Sequence, residues 1–253
     1  MKRKLLQILL LFLIVVANKN KIQAQIKFGI RAGVNSSTVS ASSERDTSGF
    51  INGGNKVVGI SKNVISYHVG LTAEISLSNS FSFQPSILYS GKGAKSEYTT
   101  NILNYPDGKG GTFSDFVEIK STSKPFYIDI PLIFNFKKDL GAAKLLIGAG
   151  PYLAFGISGK TKSEVNFLNN KFSTTLEKNI SWNESDYKKD GLVGIKRFDA
   201  GLTFNLGLEF VEKVQVGMNY NFGLTNINPS YISGVSSSSV RMLSLYVAVL
   251  FGK

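Results

Sequence analysis

Residues Phe198–Leu224 read FDAGLTFNLGLEF, then VEK, then VQVGMNYNFGL. Phe198, Ala200, Leu202, Phe204, Leu206, Leu208 and Phe210 take every second position. After Val211–Lys213 the alternation resumes as Val214, Val216, Met218, Tyr220, Phe222 and Leu224. The positions between them hold Asp199, Asn205, Glu209, Gln215, Asn219 and Asn221, with glycines. A period of two places successive side chains on opposite faces of a β-strand, so each segment has one apolar and one polar face.

The same alternation recurs six more times. Its apolar faces are Ile26–Val34, Tyr67–Leu77, Phe81–Tyr89, Phe126–Phe136, Leu145–Ile157 and Leu243–Phe251. The opposite faces hold Lys27, Arg31, His68, Glu74, Gln84, Asp129 and Asn135. Such strands suit a soluble barrel or sandwich with the apolar face inward, or an outer-membrane barrel with the apolar face against lipid.

Three features favour the membrane barrel. Segments between strands alternate between short (Ser78–Ser80, Lys138–Ala142, Val211–Lys213) and long (Ser36–Asn63, Gly93–Ser123, Gly159–Ile195, Thr225–Ser239), as expected of short periplasmic turns and long outer loops. Aromatics gather towards strand ends. Phe28, Phe81, Phe83, Phe134, Phe136, Phe210 and Phe251 fall at the short-turn rim, and Tyr67, Tyr89, Phe126, Phe155, Phe198, Tyr220 and Phe222 towards the other, giving two interfacial girdles. Finally, Lys2, Arg3 and Lys4 precede the apolar run Leu5–Ala17 and a polar stretch ending at Ala24. That run is shorter than the roughly 20 residues of a membrane-spanning helix and has the form of a secretory signal. The expected organisation is a signal peptide over 1–24 and a barrel over 25–253. The expected fold is an all-β, eight-stranded, antiparallel, up-and-down transmembrane β-barrel in the outer membrane of a Gram-negative bacterium, with both mature termini on the periplasmic side.

Composition narrows function by exclusion. The 253 residues include no Cys and one His, so disulfides and thiolate or poly-histidine metal sites have no ligands. Formal charge is +12; residues 1–24 carry five basic and no acidic residues, so cleavage leaves +7, and no nucleic-acid partner is expected. Pro85, Pro131 and Pro151 lie inside strands, where each removes a ladder hydrogen bond; bulge or kink sites that help curve the wall are expected there. Leu88, Ile133 and Leu146 point inward, which an eight-stranded interior packed with side chains tolerates.

The segments Phe126–Leu132 (FYIDIPL), Ile147–Leu153 (IGAGPYL), Phe198–Leu202 (FDAGL) and Tyr220–Ile227 (YNFGLTNI), with the opening Phe28–Val34 (FGIRAGV) and the closing run to Phe251, resemble the recurring motifs of the PorT-like outer-membrane β-barrel family. The resemblance covers nearly all of the mature chain and implies a porin-like outer-membrane barrel. The family's namesake assists protein export through a dedicated secretion apparatus. The ending Phe251-Gly252-Lys253 departs from the usual terminal aromatic and places that assembly signal two residues inward.

Lys27, Arg31, Glu74, Asp129, Asp199 and Glu209 form a candidate lumen charge network, because charge in a narrow packed interior is costly unless paired. An ion path lined by the same groups is the sharper alternative. His68 with Asp199 and a serine could be assembled into a hydrolytic arrangement, which nothing beyond their availability supports. Gly148-x-Gly150 sits in a strand without the third glycine or the helix of a dinucleotide loop, and Asp107–Gly111 reads as a loop tip. Within Gly159–Ile195, Trp182 and Tyr187, with Phe167 and Phe172, are candidate partner contacts or strand extensions above the membrane; extension is the preferred reading. No catalytic, metal or cofactor residue is assigned. The expected partners are outer-membrane lipid and other envelope or secretion proteins, with the chain a monomer or a subunit of a membrane complex. A non-enzymatic barrel displaying loops, accessory to export or surface interaction, is preferred to a narrow solute channel.

Overall fold

A computed structural model describes residues 25–41, 58–106, 111–167, 172–183, 185, 194–211, 213–228 and 237–252. Its strands are β1 (Ile26–Ala41), β2 (Val58–Lys62), β3 (Val64–Ser76), β4 (Phe81–Gly91), β5 (Ala94–Pro106), β6 (Thr112–Asp139), β7 (Lys144–Phe167), β8 (Phe172–Asn179), β9 (Phe198–Phe210), β10 (Val214–Gly223) and β11 (Ser238–Phe251). Eight of them close a ring in the order β1-β3-β4-β6-β7-β9-β10-β11, and β11 pairs back onto β1 from Phe28↔Phe251 to Ala41↔Ser238. Every pairing in the ring is antiparallel. The fold is therefore the closed eight-stranded barrel that the alternation predicts, and all eight predicted strands lie in the ring.

The side-chain phase is the predicted one. Phe28, Ile30, Leu71, Phe134, Leu206 and Val247 are exposed, whereas Arg31, Gln84, Asn135, Thr203 and Gln215 are buried. An apolar exterior around a polar interior is stable in lipid and unstable in water. The girdles form as cross-strand clusters. Phe81–Phe136 and Phe83–Phe134 meet at the short-turn end with centroids 5.4 and 4.7 Å apart, and Tyr67, Tyr89 and Phe126 group at the other. From Phe126 to Phe136 β6 runs eleven residues; at ~3.3 Å per step and a tilt of about 40°, that spans about 25 Å, the height of an outer-membrane apolar band.

Two expectations are corrected. The prolines cause no bulge: Pro85↔Leu132, Pro131↔Tyr152 and Pro151↔Leu202 keep the register of their ladders. Each removes one N–H donor and leaves the spacing intact, so the wall loses a bond without gaining a residue. The bulge on the β6–β7 ladder falls between Phe126 and Tyr127, opposite Ser158 and Gly156, at the upper girdle. Second, Gly93–Ser123, expected as a long outer loop, is largely strand; within Gly159–Ile195 the preferred strand extension forms at Phe167 of β7 and Phe172 of β8, whereas Trp182 lies outside the strands. β5 pairs with the first half of β6, which also pairs with the second half of β7; β2 and β8 flank them. The result is a β2-β5-β6-β7-β8 sheet that continues the wall outward. From Thr112 to Lys124 this arm of β6 is thirteen residues long, ~40 Å of strand at about 3.3 Å per step.

Candidate functional site

The interior is built from the inward positions of the ring and is closed at three levels. At the short-turn end, Lys137 on β6 donates to Glu74 of β3 at 2.8 Å and to Glu209 of β9 at 2.9 Å. Gln215 Nε2 on β10 donates to the same two carboxylates at 2.9 and 2.8 Å. The network then climbs the lumen. Gln84 donates to Gln215, Asn135 to Gln84 and Asn205 to Asn135, at 2.7, 2.9 and 2.8 Å. Asn205 Oδ1 accepts from Tyr246 at 2.9 Å. With its amide oriented to satisfy both neighbours, Asn219 donates to Asn205 and accepts from Arg31. The Arg31 guanidinium stacks 3.6 Å from the centre of the Tyr246 ring. Seven ring strands supply these groups. The eighth, β7, supplies Gly148, where an added Cβ collides with Asn135 Oδ1 and the Ile133 side chain.

At the next level His68 donates from Nδ1 to Asn35 Oδ1 at 2.7 Å, while Asn35 Nδ2 is held by Ser90 Oγ and Gly91 O. Beside His68, Asp129 and Asn219 is a cavity of about 10 Å³ for water centres, room for about one water molecule. Above it, Lys92 lies 3.3 Å from both Asp129 and Asp199. Asp199 also accepts from Tyr152 at 3.0 Å and from Thr225 at 2.7 Å. Lys92 Nζ sits 4.4 Å from the Tyr152 ring centre. Burial of these charges is tolerable because each lysine is flanked by two carboxylates.

The outer mouth is covered by an apolar cap. Ile180, Ile195 and Ile227, from segments outside the ring, pack with Val240 and Met242 of β11. Trp182 packs edge-on against Tyr127, centroids 5.6 Å apart, and occupies the space a Cβ on Gly156 would take. Backbone bonds from Ile180 to Gly159 O and from Lys196 to Ile227 O fasten the cap.

All six residues of the expected charge network are buried in this interior. Glu74 and Glu209 share one lysine and Asp129 and Asp199 another; Lys27 is the Cα partner of Glu74. Arg31 meets Tyr246 and Asn219 and forms no ion pair among the described residues. The two lysines that organise the carboxylates, Lys92 and Lys137, are absent from the sequence assignment. Each continues its strand's inward parity past the point where the outward apolar residues stop. His68 and Asp199 are held by different partners, so no His–Asp pair forms. Trp182 turns into the mouth, Phe172 is exposed on β8, and Tyr187 and Asp107–Gly110 lie outside the described residues.

Outside the membrane, the outer face of the sheet is charged. Glu97 of β5, Lys120 of β6 and Glu164 of β7 are successive cross-strand partners, and Glu97 accepts from both Lys62 and Lys95. These bonds hold the Glu97 carboxyl down at about 2.

The model of the outer membrane protein beta-barrel domain matches residues 17–228. The chain belongs to that family. As a member of the outer membrane beta-barrel domain family it resides in the outer membrane, with its apolar belt in lipid. Among solved structures, it is similar to Ail, the attachment invasion locus protein of Yersinia pestis, at 12% identity and TM-score 0.35, over 90% of this chain and 99% of that one. It is also similar to OprG from Pseudomonas aeruginosa (13%, TM-score 0.37, 91% and 98%) and to Neisserial surface protein A (14%, TM-score 0.35, 88% and 97%). No curated protein matches the chain.

Proposed function

We propose that the protein is a non-enzymatic, non-conducting outer-membrane anchor that presents the β2-β5-β6-β7-β8 sheet to a protein partner, as an accessory of an envelope or export assembly. The observation that carries this reading is the filled interior: polar network, lysine–carboxylate cluster and apolar cap succeed one another along the lumen. A barrel packed in this way has its working surface outside, where β6 and β7 run far beyond the belt. The PorT-like motifs support the export-accessory role in particular. Residues 1–24 are proposed as the export signal, with Gln25 the first mature residue.

The test joins two measurements on the reconstituted full chain. Planar bilayers are expected to show no stepwise conductance. A photo-crosslinking residue replacing Thr175 or Lys120 is expected to trap a defined protein in the native membrane, whereas one replacing Leu206 traps none. Resolved single-channel steps, or protein adducts from Leu206 alone, would overturn the proposal in favour of a narrow channel or a lateral membrane contact.

A further inference from the structure

On the outer face of the extended sheet, lysines stand directly opposite one another across strands at two levels. Glu97, Lys120 and Glu164 alternate in sign along their row. Lys62 and Lys95 face each other but share Glu97. Lys162 is the cross-strand partner of Glu177 and bonds to Glu164. In the row nearest the membrane, Lys124 of β6 is the direct partner of Lys160 of β7. Like charges directly opposed on one face of an antiparallel pair repel. Lys160 bonds to Glu177 at 2.8 Å; Lys124 is exposed and has no carboxylate partner among the described residues.

The height of this row is what gives it meaning. Lys124 is two residues above Phe126 of the upper girdle, so the pair stands where the apolar belt ends and lipid headgroups begin. Around the same rim, Arg197 lies over the ring of Phe155 and Arg241 over that of Phe222, with guanidinium carbons 5.6 and 3.7 Å from the ring centres. Apolar contact below and charge above is the posture of a basic residue at a membrane surface. On its β8 side, Lys160 borders an open groove of about 300 Å³ with Glu177, Lys178 and Asn179.

We infer that Lys124 and Lys160 form a binding site for the phosphate of an outer-leaflet lipid, which supplies the negative charge their row lacks. A phosphate set between two ammonium groups accepts hydrogen bonds from both and converts a repulsive cross-strand pair into an attractive one.

The test is native mass spectrometry of the full-length mature protein released from nanodiscs of zwitterionic lipid doped with phosphatidic acid or with diacylglycerol, its dephosphorylated counterpart. Wild type is expected to retain phosphatidic acid in preference to diacylglycerol. Retention should fall about fivefold for each of Lys124→Gln and Lys160→Gln, the effect of one basic residue near an anionic surface. Lys120→Gln, four residues further along β6 from the membrane than Lys124, should leave it unchanged. Lys124→Arg and Lys160→Arg keep the charge and should keep the lipid, and heat-modifiable gel migration establishes that each variant is folded. The inference is overturned if the double glutamine variant retains phosphatidic acid like wild type, or if Lys120→Gln lowers retention equally. Displacement of the lipid by inorganic phosphate alone would replace it with a soluble-anion site.

Discussion

Replacing Lys137 with methionine should uncover the electrostatic stress held at the short-turn end of the barrel. Its ammonium bridges Glu74 and Glu209 at 2.8 and 2.9 Å, and all three side chains are almost wholly buried. Methionine keeps the length and packing of the side chain and removes the charge. The two carboxylates, about 5 Å apart through their common donor, would then repel by about 3 kcal/mol at an effective dielectric of about 20. Gln215 would remain as their shared donor. Loss of one partner from a buried ion cluster costs about 3–5 kcal/mol, and the expected destabilisation at neutral pH lies in that range. The assay is urea unfolding in lipid vesicles, followed by heat-modifiable gel migration and by Trp182 fluorescence. Adding Glu74→Gln and Glu209→Gln to Lys137→Met removes the unpaired charges and should restore stability to within about 1 kcal/mol of wild type. A single-variant loss below about 1 kcal/mol, or a triple variant no better than the single, would refute the reasoning.

Lys92→Met, which leaves Asp129 and Asp199 without their common cation, should destabilise by a similar ~3–5 kcal/mol in the same unfolding assay. Glu97 gives a pH dependence of definite sign. A carboxyl held below its ordinary value contributes stability that is present above about 4.5 and is lost as pH falls towards about 2. The protection factors of the β2–β5 amides, with the intrinsic pH dependence of exchange divided out, should accordingly stay constant from neutral pH to about 5 and fall below that; titration of Glu97 at its ordinary value contradicts it. Gly156→Val should expel the only tryptophan from the mouth, because the Trp182 ring occupies that space. A red shift of emission with the barrel still heat-modifiable is expected, and unchanged emission counts against the cap.

The ring was legible because lipid on one side and a packed lumen on the other impose a strict period of two, visible in Phe198–Phe210 without any partner strand. The extended sheet is legible only around Phe167 and Phe172, where the preferred strand extension forms. Lys95–Glu97 and Ser121–Ser123 hold charged and hydroxyl side chains with no apolar alternation and resemble a loop. Six lumen charges were read from parity alone. Lys92 and Lys137 escape that reading because the outward aromatics stop at Tyr89 and Phe136, while inward parity continues to 92 and 137. The cap was invisible for a different reason: Ile180, Ile195 and Ile227 are isolated apolar residues in polar stretches, and only the closed ring brings them together. Pro85 and Pro131 misled because a missing donor was read as a missing register.

The chain contains no cysteine, so single cysteines can report on the filled barrel directly. Ser86, Thr203 and Ser244 point inward and are buried; Ser173 is exposed on β8. With each replaced in turn by cysteine in the reconstituted protein, a small water-soluble thiol reagent is expected to label Ser173→Cys rapidly and to leave the three interior positions unmodified until unfolding. Rapid labelling at Thr203→Cys and Ser244→Cys in the folded barrel would contradict the account, since it requires a water-filled lumen where the structure places a packed one.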